Sequence, residues 1–506
     1  MLFRSIGIDA LIDGPFESHK QVYADYAASG KAVKFIEDYI RNEVLPVYSN
    51  THTSSSFVGI QTSCFREEAR GIIRDTYRCT ENDVILFAGN GCTGAINTFV
   101  RILGLERKAT PYGTSKPLLQ CSFPGCPLCF NDSGDLRLHQ RTHTDGDASS
   151  WSTDISSSTG RTVKPVSDDA RRPIVFVGPF EHHSNLLPWR EADVDFVQLA
   201  VGADGGVDQE DLRARLRQFA SRPLRIVSLS RVSNVTGLTT PMSAINVLVH
   251  EEGALVCWDC ATAGTHEAPP MNNTSVNPLD YADALFFSPH KMVGGVGAPG
   301  LLILKKKLLL NETPNLPGGG TIFLVSEGLH RYTQLLTERE EGGTPNIVGA
   351  IRFGLALHLH NTLGWDWIRE REQRYLAETL AVLRRHRNIV VLGDDNDRPK
   401  AALFSFLVKF HGRYLHWNFV SMLLSDLFGI QTRSGCMCAG PYSMRLLGIA
   451  GERIHDLDTI LLDKNEIFRP GYTRVSLSYV QTPEEVKYIQ DALVFVSEEG
   501  WKFLPE

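Results

Sequence analysis

Lys291 ends the tetrapeptide Ser288-Pro289-His290-Lys291, which follows an apolar run from Tyr281 to Phe287 and opens into the glycine-rich stretch Gly294 to Gly300. Upstream, the strand-like segment Ala254-Leu255-Val256-Cys257-Trp258 ends on Asp259. A lysine at one strand end and a carboxylate at an earlier one, with small polar groups nearby, meet the needs of a pyridoxal phosphate site. The lysine can carry the cofactor as a Schiff base, and the acid keeps the pyridine nitrogen protonated so that the ring withdraws electrons. Other candidates also follow apolar runs. Val84 to Phe87 leads into Ala88-Gly89-Asn90-Gly91-Cys92-Thr93, a turn whose backbone N–H groups, at Cys92 and Thr93 above all, suit a phosphate. His182, in Glu181-His182-His183-Ser184-Asn185, can stack on a pyridine face, and Asn234 can donate to a phenolic oxygen. Each of these alone reads as an ordinary turn or surface residue. Their order is what counts: phosphate turn, histidine, asparagine, aspartate and lysine close successive strands, and open α/β sheets bind ligands outside those ends.

A second constellation lies between the first two of these strands. Cys121-x4-Cys126-x12-His139-x3-His143 has the ligand spacing of a C2H2 zinc finger, with Phe130 and Leu136 at the apolar positions between the pairs. Zinc would supply the folding energy of so small a unit. A chance cluster in a loop is the plain alternative, and Cys129 offers a competing ligand. The helix positions that would face bases are Asp132, Asp135 and Leu138, which suit neither guanine nor phosphate. Protein or RNA contact, or simple stapling of an insertion, is favoured over DNA reading.

The elements that must position these groups follow a βαβ rhythm, with apolar runs at Val84–Phe87, Ile174–Val177, Ile226–Leu229 and Leu255–Asp259. That rhythm predicts an α/β fold with a mainly parallel sheet covered on both faces by helices. The reading divides the chain into an N-terminal segment (1–22), a large cofactor-binding domain (23–107 and 173–345), an insertion (108–172) and a smaller C-terminal α+β domain (346–506). The insertion holds the ββα finger at 121–143 and a Ser/Thr/Asp-rich tract from Asp145 to Asp169 that reads as a linker. In the last domain, Phe404 to Val408 reads as a strand. Thr482, Pro483 and Glu485 open a final helix through a capping box, with Val486, Ile489 and Leu493 on one face.

Length and composition fit this division. A chain of 506 residues with 42% apolar and 22% charged residues is an ordinary globular protein of more than one domain. Its net charge of -7 argues against general binding to nucleic acid or anionic membranes. No apolar run is long enough to span a bilayer, since Leu301 to Leu310 is broken by three lysines. Ten clustered cysteines point to metal or redox use in a reducing compartment, and with no clear targeting segment the expected location is cytoplasmic.

From Tyr23 to about Glu485, the insertion excepted, the chain resembles the class V aminotransferase superfamily of fold type I pyridoxal phosphate enzymes. The likeness is particularly to its cysteine desulfurases and selenocysteine lyases. The resemblance rests on Glu181 to Trp189, Val232-Ser233-Asn234-Val235-Thr236-Gly237, Ser288 to Lys291, Gly342-Gly343-Thr344-Pro345-Asn346 and Arg433-Ser434-Gly435-Cys436-Met437-Cys438-Ala439. It implies that Lys291 anchors the cofactor, His182 stacks on the ring, Asp259 pairs with the ring nitrogen and Asn234 meets the phenolic oxygen. Thr93, Ser288 and His290 would hold the phosphate. Thr344 would reach it from a partner subunit, which implies a homodimer. Arg474 would grip the α-carboxylate of an amino-acid substrate.

Cys438 matches the thiol that attacks substrate sulfur in desulfurases and could hand it to a protein acceptor. A buried inert thiol, or a redox or metal-binding Cys-x-Cys with Cys436, is the alternative. Two departures bear on the substrate. Thr262 stands where the family often has a glutamine touching the phenolic oxygen, and the glycine run after Lys291 is one residue longer than is typical. The implied reaction releases sulfur or selenium from cysteine or selenocysteine and leaves alanine. Other lyase, epimerase or aminotransferase chemistry, or a zinc-finger adaptor on an inactive scaffold, stays open.

Overall fold

A computed structural model describes residues 5–52, 55–107, 166–273, 275–394, 398–462 and 465–504, with the backbone of 119–120 and 129–130. The chain forms two compact units. Residues 1–105 and 164–506 make one, and residues 106–163 make the other.

The first unit is built on a seven-stranded sheet: β1 (Asp83–Phe87), β2 (Ile174–Val177), β3 (Asp195–Gln198), β4 (Arg225–Ser230), β5 (Leu255–Asp259), β6 (Ala284–Phe287) and β7 (Leu301–Lys305). Its spatial order is β1-β7-β6-β5-β4-β2-β3. Every pairing is parallel except the two made by β7. The mainly parallel α/β sheet expected from the apolar rhythm is therefore present. Its central strands are continuous apolar runs because both faces are covered.

Alternate residues feed two cores. Phe176, Val227, Leu229, Trp258, Leu285 and Ile303 face one side, where Ile73 of helix α1 (Phe57–Thr76) also packs. Val175, Val177, Ile226, Cys257, Phe286 and Leu302 face the other, against Ala95 and Phe99 of helix α2 (Gly91–Ile102). Helix α3 (Ile347–Leu363) begins where Asn346 Oδ1 accepts from the Gly349 N–H at 3.0 Å. It crosses α1 so closely that a Cβ on Gly354 would lie 2.6 Å from Ala69 Cβ.

C-terminal to α3, a smaller antiparallel sheet runs in the order Ile389–Val391, Leu403–Phe410, Tyr472–Ser476, Arg433–Gly435. The final helix, Pro483–Glu499, carries the expected capping box and buries Val486, Ile489 and Leu493 against Phe404, Phe406 and Val475. The stretch of chain from Ala24 to Gly30 ties the two sheets together. The Ser476 N–H donates to Ala24 O at 2.8 Å, and the Gly30 N–H donates to His290 O at 3.0 Å.

In the second unit the described backbone is an antiparallel pair, Leu119–Gln120 with Cys129–Phe130. The expected zinc ligands Cys121, Cys126, His139 and His143, and the linker tract up to residue 165, lie outside the described residues. Among the described residues no group of three or more histidines, cysteines or carboxylates could hold a metal ion. No helix among them is long and apolar enough to cross a membrane.

Candidate active site

Five strand ends meet at a cavity of about 190 Å³, and most of the residues singled out in the sequence line it: Cys92, Thr93, His182, Asn234, Asp259, Thr262, Ser288, His290, Lys291 and Arg474. The β1–α2 turn shapes one end. Gly91 has φ +56°, and a Cβ there would stand 2.9 Å from Ser288 Oγ. Ser288 Oγ in turn accepts from the Cys92 N–H at 2.8 Å. Thr93 Oγ1 and Ser184 Oγ lie 2.6 Å apart at the same end.

Lys291, in the turn after β6, is half-buried. Burial, helped by Arg474 and Arg433, lowers its amine to about 8 against the pull of Asp259. Asp259 closes β5 and accepts from the Ala261 N–H at 2.8 Å. Burial pushes its carboxyl up, opposed by that N–H, by Lys291 and by a hydrogen bond from the Cys92 thiol. The thiol itself stays protonated, because burial and Asp259 raise it well above the ordinary range. His182 Nδ1 accepts from the Ser184 N–H at 3.0 Å. Burial first, then Lys291, lowers the imidazole to about 3, so the ring is neutral and free to stack.

The opposite wall is cationic. Arg433 and Arg474 stand directly across from one another on adjacent antiparallel strands, and both line the cavity. Like charges so paired destabilise a sheet unless an anion joins them. Arg474 donates from Nη1 to Asn234 O at 2.9 Å and from Nη2 to Asp25 Oδ1 at 2.6 Å. Its Nε is buried with no partner among the described residues. An orphaned donor on a cavity residue is a candidate partner for a carboxylate. Arg433, quoted in the sequence only as part of a motif, is thus a functional candidate that spacing alone missed.

Glu181 is another. It accepts from the Ser230 N–H at 2.9 Å, Ser230 Oγ at 2.6 Å and Asn185 Nδ2 at 2.6 Å, and burial still raises it to about 7. It fixes the end of β4 beside His182.

Cys438 lies on a tight turn. Met437 and Cys438 have φ of +53° and +54°, and the Ala439 N–H donates to Cys436 O at 3.1 Å. Two positive φ values inside a four-residue hydrogen-bonded turn mark the type I′ conformation, which non-glycine residues adopt at a cost of about 1 kcal/mol or more each. Three anchors hold it: Asn234 Nδ2 on Met437 O at 2.7 Å, the His183 N–H on Cys438 O at 2.7 Å, and the Gly440 N–H on His183 Nε2 at 3.0 Å. Met437 lines the cavity, while the Cys438 sulfur lies 4.0 Å from Arg433 Nη2. Asn234, expected at a phenolic oxygen, has its amide nitrogen committed to this turn. Thr344 is not in the cavity of its own chain. It is exposed and accepts from Asn50 Nδ2 at 3.1 Å.

The residues present fit pyridoxal phosphate. A glycine-shaped, hydroxyl-lined turn suits the phosphate, a neutral imidazole suits the ring face, and a buried carboxylate lacking a full counter-charge suits a protonated ring nitrogen.

Comparison with known proteins agrees with this geometry. The family described as aminotransferase class-V matches residues 169–489. A cysteine desulfurase of Shigella sonnei is 31% identical over 274 residues, 53% of this chain and 62% of that protein. A probable cysteine desulfurase of Halalkalibacterium halodurans is 32% identical over 272 residues, again 53% and 62%. The matched stretch thus spans less than two thirds of these relatives. Among solved structures, the apo cysteine desulfurase of Thermococcus onnurineus NA1 superposes with a TM-score of 0.67 at 22% identity, covering 94% of this chain and 95% of that one. The cysteine desulfurase CsdA (S-sulfonic acid) of Escherichia coli gives 0.64 at 20% identity, covering 94% of each. These two share the fold. With the family match extending over more than half its length, this chain belongs to the class-V aminotransferase family.

Proposed function

We propose that the protein is a pyridoxal phosphate-dependent cysteine desulfurase or selenocysteine lyase, removing sulfur or selenium from the amino acid to leave alanine. One observation carries the reading: Lys291, Asp259 and a neutral His182 share a cavity whose facing wall holds the paired Arg433 and Arg474. When bound there, the cofactor supplies an electron sink for bonds at the substrate's α-carbon.

The chain's own groups do the rest. Asp259 keeps the ring nitrogen protonated, His182 covers one ring face, and Thr93, Ser288 and His290 hold the phosphate. Arg474 binds the substrate carboxylate through its free Nε and an Nη, with Arg433 adding charge beside it. Lys291 takes the α-proton, its amine already near neutral pH. The Cys438 thiolate attacks the substrate sulfur: an S–S bond forms as the Cβ–S bond breaks, and protonation at Cβ followed by return of the α-proton from Lys291 yields alanine. A second reading rests on the Cys438 sulfur standing against Arg433 while Met437 lines the cavity. In that reading the chemistry stops at carbon, as in other lyases, epimerases and aminotransferases.

Thr344 and its neighbours support a homodimer. The exposed hydroxyl has no role in its own cavity, and the nearby hairpin Ile322–Val325/His330–Tyr332 exposes Phe323, Leu324 and Val325. A second copy would cover that face and bring Thr344 to the phosphate. Cys121, Cys126, His139 and His143 bind one structural zinc, a reading supported by their spacing and by the strand pair that brackets the two cysteines.

Borohydride reduction of the cofactor-loaded protein followed by peptide mapping tests the site. Pyridoxyl label on Lys291 supports it. Absence of label, or label on another lysine, refutes it.

A further inference from the structure

The turn that carries Cys438 holds a second thiol with surroundings of its own. Cys436 opens the turn and Cys438 is its third residue, so their Cα atoms are at most about 7.6 Å apart, two Cα steps. Both are free and half-buried. Cys438 reaches Arg433, on the cavity wall. Cys436 follows Gly435, which pairs with Tyr472 across the sheet, and its carbonyl accepts from the Tyr472 hydroxyl at 3.4 Å, three residues along the chain from Arg469. Arg469 is not a cavity residue. Its side chain is 47% exposed and pairs with Glu466.

The turn therefore carries one cysteine against an arginine of the cavity wall and a second, half-buried, next to the strand that follows Arg469. Its backbone is pinned on both sides, by Asn234 and His183 within the site and by Ser443 Oγ on Cys436 O at 2.8 Å. So pinned, the backbone under both thiols is fixed. A strained, over-determined turn of this kind is characteristic of functional positions.

We propose that Cys436 is a second sulfur-carrying site, receiving the outer sulfur of the Cys438 persulfide and presenting it at the surface to a thiol acceptor. The proposal rests on the desulfurase reading of Cys438. In the transfer, the Cys436 thiolate attacks the terminal sulfur of Cys438–S–SH. The Cys436–S bond forms and the Cys438–S bond breaks, so Cys438 leaves as a thiolate and takes up the proton that Cys436 gave away. One persulfide replaces another, so no oxidant or reductant is consumed. An added sulfur extends the donor's reach by roughly 2 Å, enough to make neighbouring thiols on one tight turn partners.

The cofactor-loaded protein is mixed with L-cysteine, quenched by alkylation and digested. Fragmentation of the 434–445 peptide then locates the added sulfur while alanine is measured in parallel. Wild-type protein is expected to carry sulfur on both cysteines and Cys438→Ala on neither. Cys436→Ala is expected to carry sulfur on Cys438 alone, with first-turnover alanine unchanged and transfer to dithiothreitol slowed about fivefold or more. Sulfur confined to Cys438 in the wild type, or transfer from Cys436→Ala at the wild-type rate, overturns the relay and leaves the desulfurase reading standing. Sulfur on Cys436 in Cys438→Ala also overturns it, because entry would not need Cys438. No alanine and no sulfur on either cysteine refutes the desulfurase reading, and the relay with it.

Discussion

Replacing Arg474 by lysine keeps a positive charge at the cavity wall and removes the planar fork. In the wild type Nη1 is committed to Asn234 O at 2.9 Å and Nη2 to Asp25 at 2.6 Å, while Nε is buried and free. A substrate carboxylate can be taken by Nε and one Nη without breaking both existing bonds. A lysine amine is a single point. It can satisfy Asp25 or Asn234 O and has no second, fixed donor for the carboxylate. The loss is therefore close to one charge-assisted hydrogen bond, about 1.5–3 kcal/mol. That corresponds to a fall in kcat/KM for L-cysteine of roughly 10- to 150-fold. Alanine formation is the assay, and visible absorbance of the loaded protein checks that the cofactor is retained. An Arg474→Lys protein with intact cofactor and kcat/KM within threefold of wild type would refute the assignment of Arg474 to the carboxylate.

Capture of pyridoxal phosphate by the apoprotein should speed up as pH rises through about 8, because burial holds Lys291 there and only the free amine reacts; a midpoint above 10 in stopped-flow absorbance contradicts this. Asp259→Asn removes the group that most favours the charged amine, so the midpoint should move lower in the same assay. Gly91→Ala forces a side chain onto φ +56° and within 2.9 Å of Ser288 Oγ. The expected weakening of cofactor affinity is about 5- to 30-fold, from roughly 1–2 kcal/mol of strain, and unchanged affinity in an absorbance titration counts against the phosphate turn. Glu341 accepts from the Phe87 N–H at 2.7 Å and pairs with Arg66 and Arg70 in a buried cluster. Glu341→Ala should cost about 3–5 kcal/mol, seen as an earlier urea transition. Metal analysis should find one zinc per chain in the wild type and none in a Cys121→Ser/His139→Ala variant; wild-type protein without zinc overturns the finger.

Much of the site was legible because each group sits at the end of an apolar run. Asp259 and Lys291 could be paired from the sequence, since parallel strands bring their carboxyl ends to one edge whatever their separation along the chain. The capping box at Thr482 was equally local. Arg433 was not legible as a partner of Arg474, because their contact depends on the register of two antiparallel strands that no short-range pattern specifies. The turn at Met437 and Cys438 was hidden too. Type I′ turns announce themselves through Asn-Gly or Gly-Gly, and here two bulkier side chains occupy the positive-φ positions under the hold of Asn234 and His183. Asn234, read as a cofactor ligand, lines the cavity and also anchors that turn. Thr344 stands apart for a different reason: in a single chain it has no cavity to enter.

Incubation of the cofactor-loaded protein with L-cysteine, with alanine and protein-bound sulfur quantified together, puts the proposed activity to a decisive trial. The expected result is alanine in step with sulfur, lost in Lys291→Ala and reduced to background in Cys438→Ala. Cofactor-loaded wild-type protein that forms neither product would contradict the activity proposed for this site.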